Sequence, residues 1–229
     1  MKTQAIIPAA GRGVRFGSKI SKPLVMLSGQ PLVVHALRAM EECSLIDGVV
    51  VVAQKKDFLK FKGIVRKYRL RKVKKVVSGG KERFQSVYQG LQALDEDTDF
   101  VLIHDGARPL VDMPLLKRVI KFCFKEKAVV TAVPVKPTIK EVDSRRLTVK
   151  RTLFRDDLWE IQTPQVFAKE LILKAYKTKT NRLPCDDATL VEALGVKVKV
   201  LRGNYRNIKI TTVDDLICAQ AMMKQNSRS

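Results

Sequence analysis

Six short apolar runs, separated by amphipathic stretches long enough to be helices, most constrain what this 229-residue chain can fold into. The runs are Ala5 to Ile7, Val49 to Ala53, Val73 to Val77, Phe100 to Ile103, Ala128 to Val133 and Val196 to Leu201. Most are nearly continuous in Val, Ile and Leu, so they call for burial on both faces, which the central strands of a parallel sheet provide. Between them the sequence predicts helices near Leu32 to Glu42, Asp57 to Arg69, Glu82 to Leu94, Pro114 to Lys125 and Lys169 to Lys177. A last helix is expected after Thr212, where Thr212 and Asp215 have the spacing of a capping box and Asp214 and Asp215 suit the N-terminal dipole. Strands alternating with helices define an α/β fold, a mostly parallel sheet with helices on both faces. The length suits one well-buried core, so residues 1–229 are expected to form a single domain.

One region breaks the rhythm. Residues 136–157, "KPTIKEVDSRRLTVKRTLFRDD", hold two β-prone pieces, Thr138 to Val142 and Leu147 to Leu153, around the turn-like Asp143-Ser144. They predict a hairpin that projects from the domain. Thr138 and Arg155 at its base suit an anion, and protruding hairpins commonly serve dimerisation.

Composition narrows the setting. The first four residues lead straight into the first strand, without the roughly 7–15-residue apolar region of a signal peptide. Runs such as Val49 to Ala53 are too short to span a membrane. A soluble, cytoplasmic protein is the expectation. Cys43, Cys123, Cys185 and Cys218 lack any C-x-x-C spacing and read as reduced structural thiols. The balance of 44 basic against 23 acidic residues, +21, argues for a nucleic-acid partner. The densest segment, Lys55 to Lys75, has eleven Lys or Arg and one acid, Asp57. Yet Phe58, Phe61, Val65 and Tyr68 recur there at helical spacing, giving a packing face and leaving the cations in water. With no zinc-finger spacing and no RNP-like aromatic motif, a nucleic-acid-binding protein stays the alternative reading.

The chemistry concentrates after the strands, where open α/β sheets bind their ligands. The stretch "IIPAAGRGVRFGSKISKPL", Ile6 to Leu24, sets small residues beside Arg12, Arg15, Lys19 and Lys22, with no acid before Glu41. It fits neither a Walker A loop nor the G-x-G-x-x-G fingerprint, but it would serve a polyanion. After the third strand, "SGGKERFQSV" lets Gly79 and Gly80 approach a ligand and opens a helix on which Ser86 lies off the stripe of Phe84, Val87, Leu91 and Leu94. After the fourth, "HDGARP" brings Asp105 and Arg108 to the same edge. A carboxylate beside phosphates either coordinates Mg²⁺ or holds sugar hydroxyls, and Asp105 is the candidate; a turn cap is the alternative. His104 has no Ser or Cys nucleophile near it in sequence, which argues against a triad, and His35 in a helix reads as structural. Thr163, Asp186 and Lys209 are further polar candidates, although Thr163 could equally be an N-cap and Lys209 a solvated strand residue.

The motifs P-A-A-G-x-G-x-R with Lys22, G-G-x-x-R-x-x-S-V, H-D-G-A-R-P, T-P-Q and N-I-K-I-T, in this order along nearly the whole chain, resemble those of the 2-C-methyl-D-erythritol 4-phosphate cytidylyltransferases. The resemblance implies a Rossmann-like nucleotidyltransferase domain, a β-arm exchanged in a homodimer, and Mg²⁺-dependent transfer of CMP from CTP to a sugar-alcohol phosphate in isoprenoid precursor synthesis. It makes Arg15 and Lys22 the groups that stabilise charge on the α-phosphorus. It places Pro8, Ala9, Ala10, Gly11 and Gly13 along the nucleotide, and Gly80, Arg83 and Ser86 near cytosine and ribose. Asp105 falls near the metal or the acceptor hydroxyls, and Arg108, Thr138, Arg155, Thr163 and Lys209 around the acceptor. Two positions depart from the pattern: Lys81 where an acid often follows the G-G pair, and Cys185 where Thr is common before Asp186-Asp187. A ribitol 5-phosphate cytidylyltransferase is the nearest competing enzyme, and the P-A-A-G and H-D-G-A-R-P forms favour the methylerythritol enzyme. A sugar-1-phosphate nucleotidyltransferase would carry a longer glycine-rich signature.

Overall fold

The computed structural model describes residues 1–11, 21–178 and 183–226. In chain order it runs β1 (Thr3–Pro8), the short pair β2 (Met26–Leu27) and β3 (Gln30–Pro31), α1 (Leu32–Glu42), β4 (Gly48–Ala53), α2 (Phe58–Lys67), β5 (Val73–Ser78), α3 (Arg83–Gln92), β6 (Phe100–Ile103) and α4 (Met113–Glu126). It continues with β7 (Ala128–Pro134), the hairpin β8 (Lys140–Asp143) and β9 (Thr148–Thr152), β10 (Trp159–Ala168), α5 (Lys169–Lys177), α6 (Asp187–Glu192), β11 (Lys199–Arg202) and α7 (Val213–Asn226).

Among the described residues the main sheet has seven strands in the order β11-β7-β10-β6-β1-β4-β5. Its pairings are parallel except those of β10, which runs against both β6 and β7. Successive strand residues point to opposite faces, and the core divides accordingly. Ala5, Ile7, Val49 and Val51 pack with Val33, Leu37, Phe61, Leu116 and Ile120 of α1, α2 and α4. Ile6, Val50 and Val52 pack on the other face with Val87, Leu91, Ile172 and Val191 of α3, α5 and α6. The expected α/β layering is therefore present. So is the packing face of the cationic helix: Phe61 is buried, and Phe58, Val65 and Tyr68 pack against the same core.

Besides the short pair β2 and β3, two elements escape the sequence reading. β10 is a ten-residue strand over a segment that the sequence reading assigns to no element and uses only for Thr163. Its register shifts between Gln162 and Gln165, where the Thr163–Pro164 peptide is cis. A bulge is where a sheet tolerates proline, because the lost N–H then breaks no regular ladder bond. Thr163 accordingly lies in a strand bulge and is not an N-cap. The short helix α6 was also not expected. β11 starts at Lys199, three residues later than predicted, after Gly195 reverses the chain at a φ of +75°.

The hairpin forms as predicted, with Lys140 opposite Thr152 and Asp143 opposite Thr148. Asp143 accepts the backbone N–H groups of Arg145 and Arg146 and so shapes the turn. Its root is tied down by Tyr205, whose hydroxyl donates to the Pro134 carbonyl while Lys136 Nζ sits 3.7 Å from the ring centroid. Beyond the root the arm bares apolar surface: Leu147 is 83 %, Val149 58 % and Phe154 89 % exposed, a pattern that calls for cover. The last helix is capped as read, since Asp215 accepts from the Thr212 N–H and Thr212 Oγ1 accepts from the Asp215 N–H. Among the described residues no helix is long and apolar enough to cross a membrane.

Candidate active site

Three loops at the carboxyl edge of the sheet pack into one another. The first, after β1, is held by the Ala9 N–H on the Val52 carbonyl (2.7 Å) and by Gln54 Nε2 on the Ala10 carbonyl (2.8 Å). The second, after β5, passes so close that a Cβ on Gly79 would lie 2.5 Å from Ala10 Cβ and 2.7 Å from Ser86 Oγ. A side chain there would push the loops apart. Ser86, expected to face a ligand, accepts the Gly80 N–H and donates to the Glu82 carbonyl, so its hydroxyl sets the loop. The third loop joins through the Gly106 N–H on the Pro8 carbonyl.

Between these loops lies a cleft of about 280 Å³ lined by Pro8, Ala9, Ala10, Gly11, Lys22, Gly80, Arg83, Ser86, Asp105 and Lys209. The predicted nucleotide set thus converges, apart from Gly13 and Arg15, which lie outside the described residues. Lys81 also lines this cleft. A second cavity, about 370 Å³, shares Arg83, Asp105 and Lys209 and adds Arg108, Thr163, Gln165, Cys185 and Asp186. Both departures from the motif pattern therefore face a cavity.

The shared wall is ionic. Asp105 Oδ1 accepts from Arg83 Nε (3.0 Å) and Oδ2 pairs with Lys209 Nζ (2.6 Å). Burial alone would raise the Asp105 carboxyl, but Arg83, Lys209 and Arg108 outweigh it and hold it well below the usual carboxylate range. Arg108 is itself buried, donating to the carbonyls of Asn207 (2.6 Å) and Ile161 (3.4 Å). Burial depresses its guanidinium while the Asp105 charge opposes that.

His104 and Thr163 support Asp105 from behind. His104 has 0 % exposure, and burial pushes its pKa down to about 4, so the ring is neutral at pH 7. Its Nε2 lies 3.0 Å from the Arg108 carbonyl and must carry the proton, which leaves Nδ1 to accept from the Thr163 hydroxyl at 3.2 Å. Thr163 Oγ1 in turn accepts the Asp105 N–H at 3.0 Å. The proton of Thr163 is committed to His104, so the hydroxyl orients Asp105, while Thr163 still lines the second cavity.

Two residues expected around the acceptor lie elsewhere in this chain. Thr138 and Arg155 lie exposed on the arm and line neither cavity, and Arg155 donates to the Lys136 carbonyl at 2.8 Å. Asp105 is poorly disposed as a metal ligand, because both its oxygens face cations that would repel a third. Among the described residues no group of three or more His, Cys, Asp or Glu is placed to hold a metal ion. The sequence reading also missed two partners of the site that only the tertiary fold brings together: buried Asp187, which holds Arg83, and half-buried Tyr176, whose hydroxyl donates to Asp187.

A cationic cleft at the carboxyl edge of a mostly parallel sheet, sharing Arg83, Asp105 and Lys209 with a second cavity, has the form of a nucleotidyltransferase site. The crystal structure of 4-diphosphocytidyl-2C-methyl-D-erythritol synthase from Anaerococcus prevotii matches the chain with a TM-score of 0.85 and 36 % identity, over 97 % of this chain and 96 % of that one. The 2-C-methyl-D-erythritol 4-phosphate cytidylyltransferase of Thermus thermophilus matches with a TM-score of 0.80 and 28 % identity, over 98 % of this chain and 100 % of that one. The cytidylyltransferase of the same name from Alkaliphilus oremlandii is 44 % identical over 227 residues, 97 % of this chain and 95 % of that protein. The profile of that family covers residues 3–225, and the chain belongs to the 2-C-methyl-D-erythritol 4-phosphate cytidylyltransferase family. It is a CTP-dependent nucleotidyltransferase of the isoprenoid precursor route, as the sequence motifs implied.

Proposed function

We propose that the two cavities hold the two substrates of a single in-line transfer, with the triphosphate of CTP along Pro8 to Gly11 and the methylerythritol phosphate in the larger cavity. What carries this reading is the wall that both cavities share, Arg83, Asp105 and Lys209. An oxygen of the acceptor phosphate attacks the α-phosphorus of CTP, the bond to the bridging oxygen breaks, and pyrophosphate leaves with its electron pair. Charge builds on the non-bridging oxygens, where Lys22 and Arg15 stabilise it. No protein nucleophile is needed. Asp105, ionised and acceptor-only, keeps lone pairs free for substrate hydroxyls beside its two cationic partners. Arg108 and Lys209 supply positive charge on the acceptor side. Ala9, Ala10 and Gly80 let the backbone approach the nucleotide.

Mg²⁺ belongs to this proposal as an ion held by the triphosphate, where it would neutralise phosphate charge, and not by a protein cage. The proposal further takes residues 1–229 as one domain in a cytoplasmic homodimer, with the 136–157 arm covered by a second copy and carrying Thr138 and Arg155 toward the partner's acceptor cavity. The exposed Leu147, Val149 and Phe154 support that role.

Pyrophosphate release tests the substrate assignment: CTP should outperform ATP, methylerythritol phosphate should outperform ribitol 5-phosphate, and excess chelator should stop turnover. Faster reaction with ribitol 5-phosphate would sink it. Subunit mixing tests the arm. Arg155→Ala and Lys209→Ala should each be nearly inactive, whereas randomly mixed dimers should regain about a quarter of sites, because half are mixed and each mixed dimer rebuilds one site. A mixture that stays inactive after subunit exchange is verified by mass would show that Arg155 does not serve a neighbour.

A further inference from the structure

Asp187 has 0 % exposure, yet it is ion-paired beside the shared wall. Its Oδ1 accepts from Arg83 Nη1 at 3.0 Å and its Oδ2 from Arg83 Nη2 at 2.8 Å, a two-pronged bond that uses both terminal nitrogens of the guanidinium. Oδ1 also accepts from the hydroxyl of Tyr176 on α5 at 2.5 Å. Burial, with the Asp187 charge adding to it, pushes the Tyr176 phenol up, so the hydroxyl remains a donor. The Tyr176 ring stacks on Tyr88 of α3, at 6.1 Å between centroids and 11° between planes, which ties α5 to the helix that carries Arg83.

The geometry matters because of what it withholds from Asp105. A guanidinium next to a single carboxylate closes on it with two parallel N–H bonds. Here Arg83 gives Asp105 only Nε, on Oδ1, and Oδ2 is left to Lys209. We propose that Asp187, braced by Tyr176, is a positioning residue for the transfer reaction: it holds both terminal nitrogens of Arg83 away from Asp105, so that Asp105 keeps Lys209 and a free edge for substrate. Without Asp187, Arg83 turns onto both oxygens of Asp105, displaces Lys209 and shifts the wall between the two substrates. The inference rests on the roles proposed above for Arg83, Asp105 and Lys209.

A double-mutant cycle on the full-length enzyme separates the inference from that reading. Asp187→Asn, which keeps the shape and removes the charge, should lower kcat/KM by about 10²-fold, the scale of a misplaced reacting group. Tyr176→Phe, which deletes one hydroxyl, should lower it by about tenfold, a bond to a charged group being the interaction lost. It serves in place of Asp187→Asn if that protein does not fold. In an Arg83→Ala background either substitution should change kcat/KM by less than about twofold, because no guanidinium remains to be positioned. A purely structural role would cost the same in both backgrounds, and such additivity overturns the inference. If Arg83→Ala alone kept wild-type kcat/KM, the site reading itself would fall, and this inference with it.

Discussion

Replacing Thr163 with valine tests the support behind Asp105 without changing its size. The hydroxyl accepts the Asp105 N–H and donates to His104 Nδ1, and both partners are buried. Valine leaves the two without partners, and each such group costs about 1–3 kcal/mol, so the sum is about 2–6 kcal/mol. For a chain of 229 residues, each kcal/mol moves the melting midpoint by about 2–4 °C. The expected fall is thus roughly 10 °C, with kcat/KM reduced because the Asp105 backbone is no longer pinned. Thr163→Ser keeps the hydroxyl and should hold most of the activity. Thermal unfolding by circular dichroism, paired with pyrophosphate release, reads both effects. A Thr163→Val protein that melts within about 2 °C of the parent and turns over normally would refute the reasoning, and so would a serine variant as impaired as the valine one.

Other outcomes follow from the same geometry. Gly79→Ala should weaken CTP binding about tenfold by calorimetry, since the new methyl meets Ala10 Cβ and Ser86 Oγ, and overpacking costs about 1–3 kcal/mol; unchanged affinity would mean that the two loops yield freely. His104 titrates near 4 in the fold but at its ordinary value near 6.5 when unfolded, so the unfolded chain binds more protons between those values. Stability contributed by the neutral ring is therefore complete above pH 6.5 and is lost as pH falls toward 4, by roughly 3 kcal/mol in urea titrations, and His104→Gln should flatten that slope. Lys22→Ala and Arg15→Ala should cut kcat by about 10²–10³ with much smaller losses in CTP affinity. The reverse pattern would make them ground-state anchors.

How far the sequence reveals the fold depends on how each element is buried. Phe100–Ile103, Leu32–Glu42 and Lys169–Lys177 form within the limits their patterns predict, because an apolar run or a helical stripe states its burial directly. β10 does not, although it lies inside the sheet between β6 and β7. Gln162, Thr163 and Gln165 are 2 %, 4 % and 1 % exposed, and they are tolerated there through long-range hydrogen bonds to Asn204, Asp105 and Asp186. A buried polar residue whose partner is far along the chain resembles a loop residue until the partner is known.

The candidate site divides along the same line. Backbone features were legible: glycines and small residues after parallel strands must meet at one edge, and Pro8 to Gly11 do meet Gly80 and Asp105 there. Side-chain pairing was not, since nothing local tells Arg83 that its two-pronged partner is Asp187, 104 residues away. The pairing also gives the charge surplus two scales. Cations of the Lys55 to Lys75 segment are mostly exposed and can only draw anions in from solution. Around the wall, Arg83 pairs with Asp105 and Asp187, Lys209 pairs with Asp105, and Lys22 lines the adjoining cleft. Each carboxylate fixes a cation that would otherwise follow the substrate, so positive charge is held in place before the phosphates arrive. Preorganised charge of this kind needs no rearrangement during a reaction, and under the proposed roles this is how the two acids would serve anion chemistry.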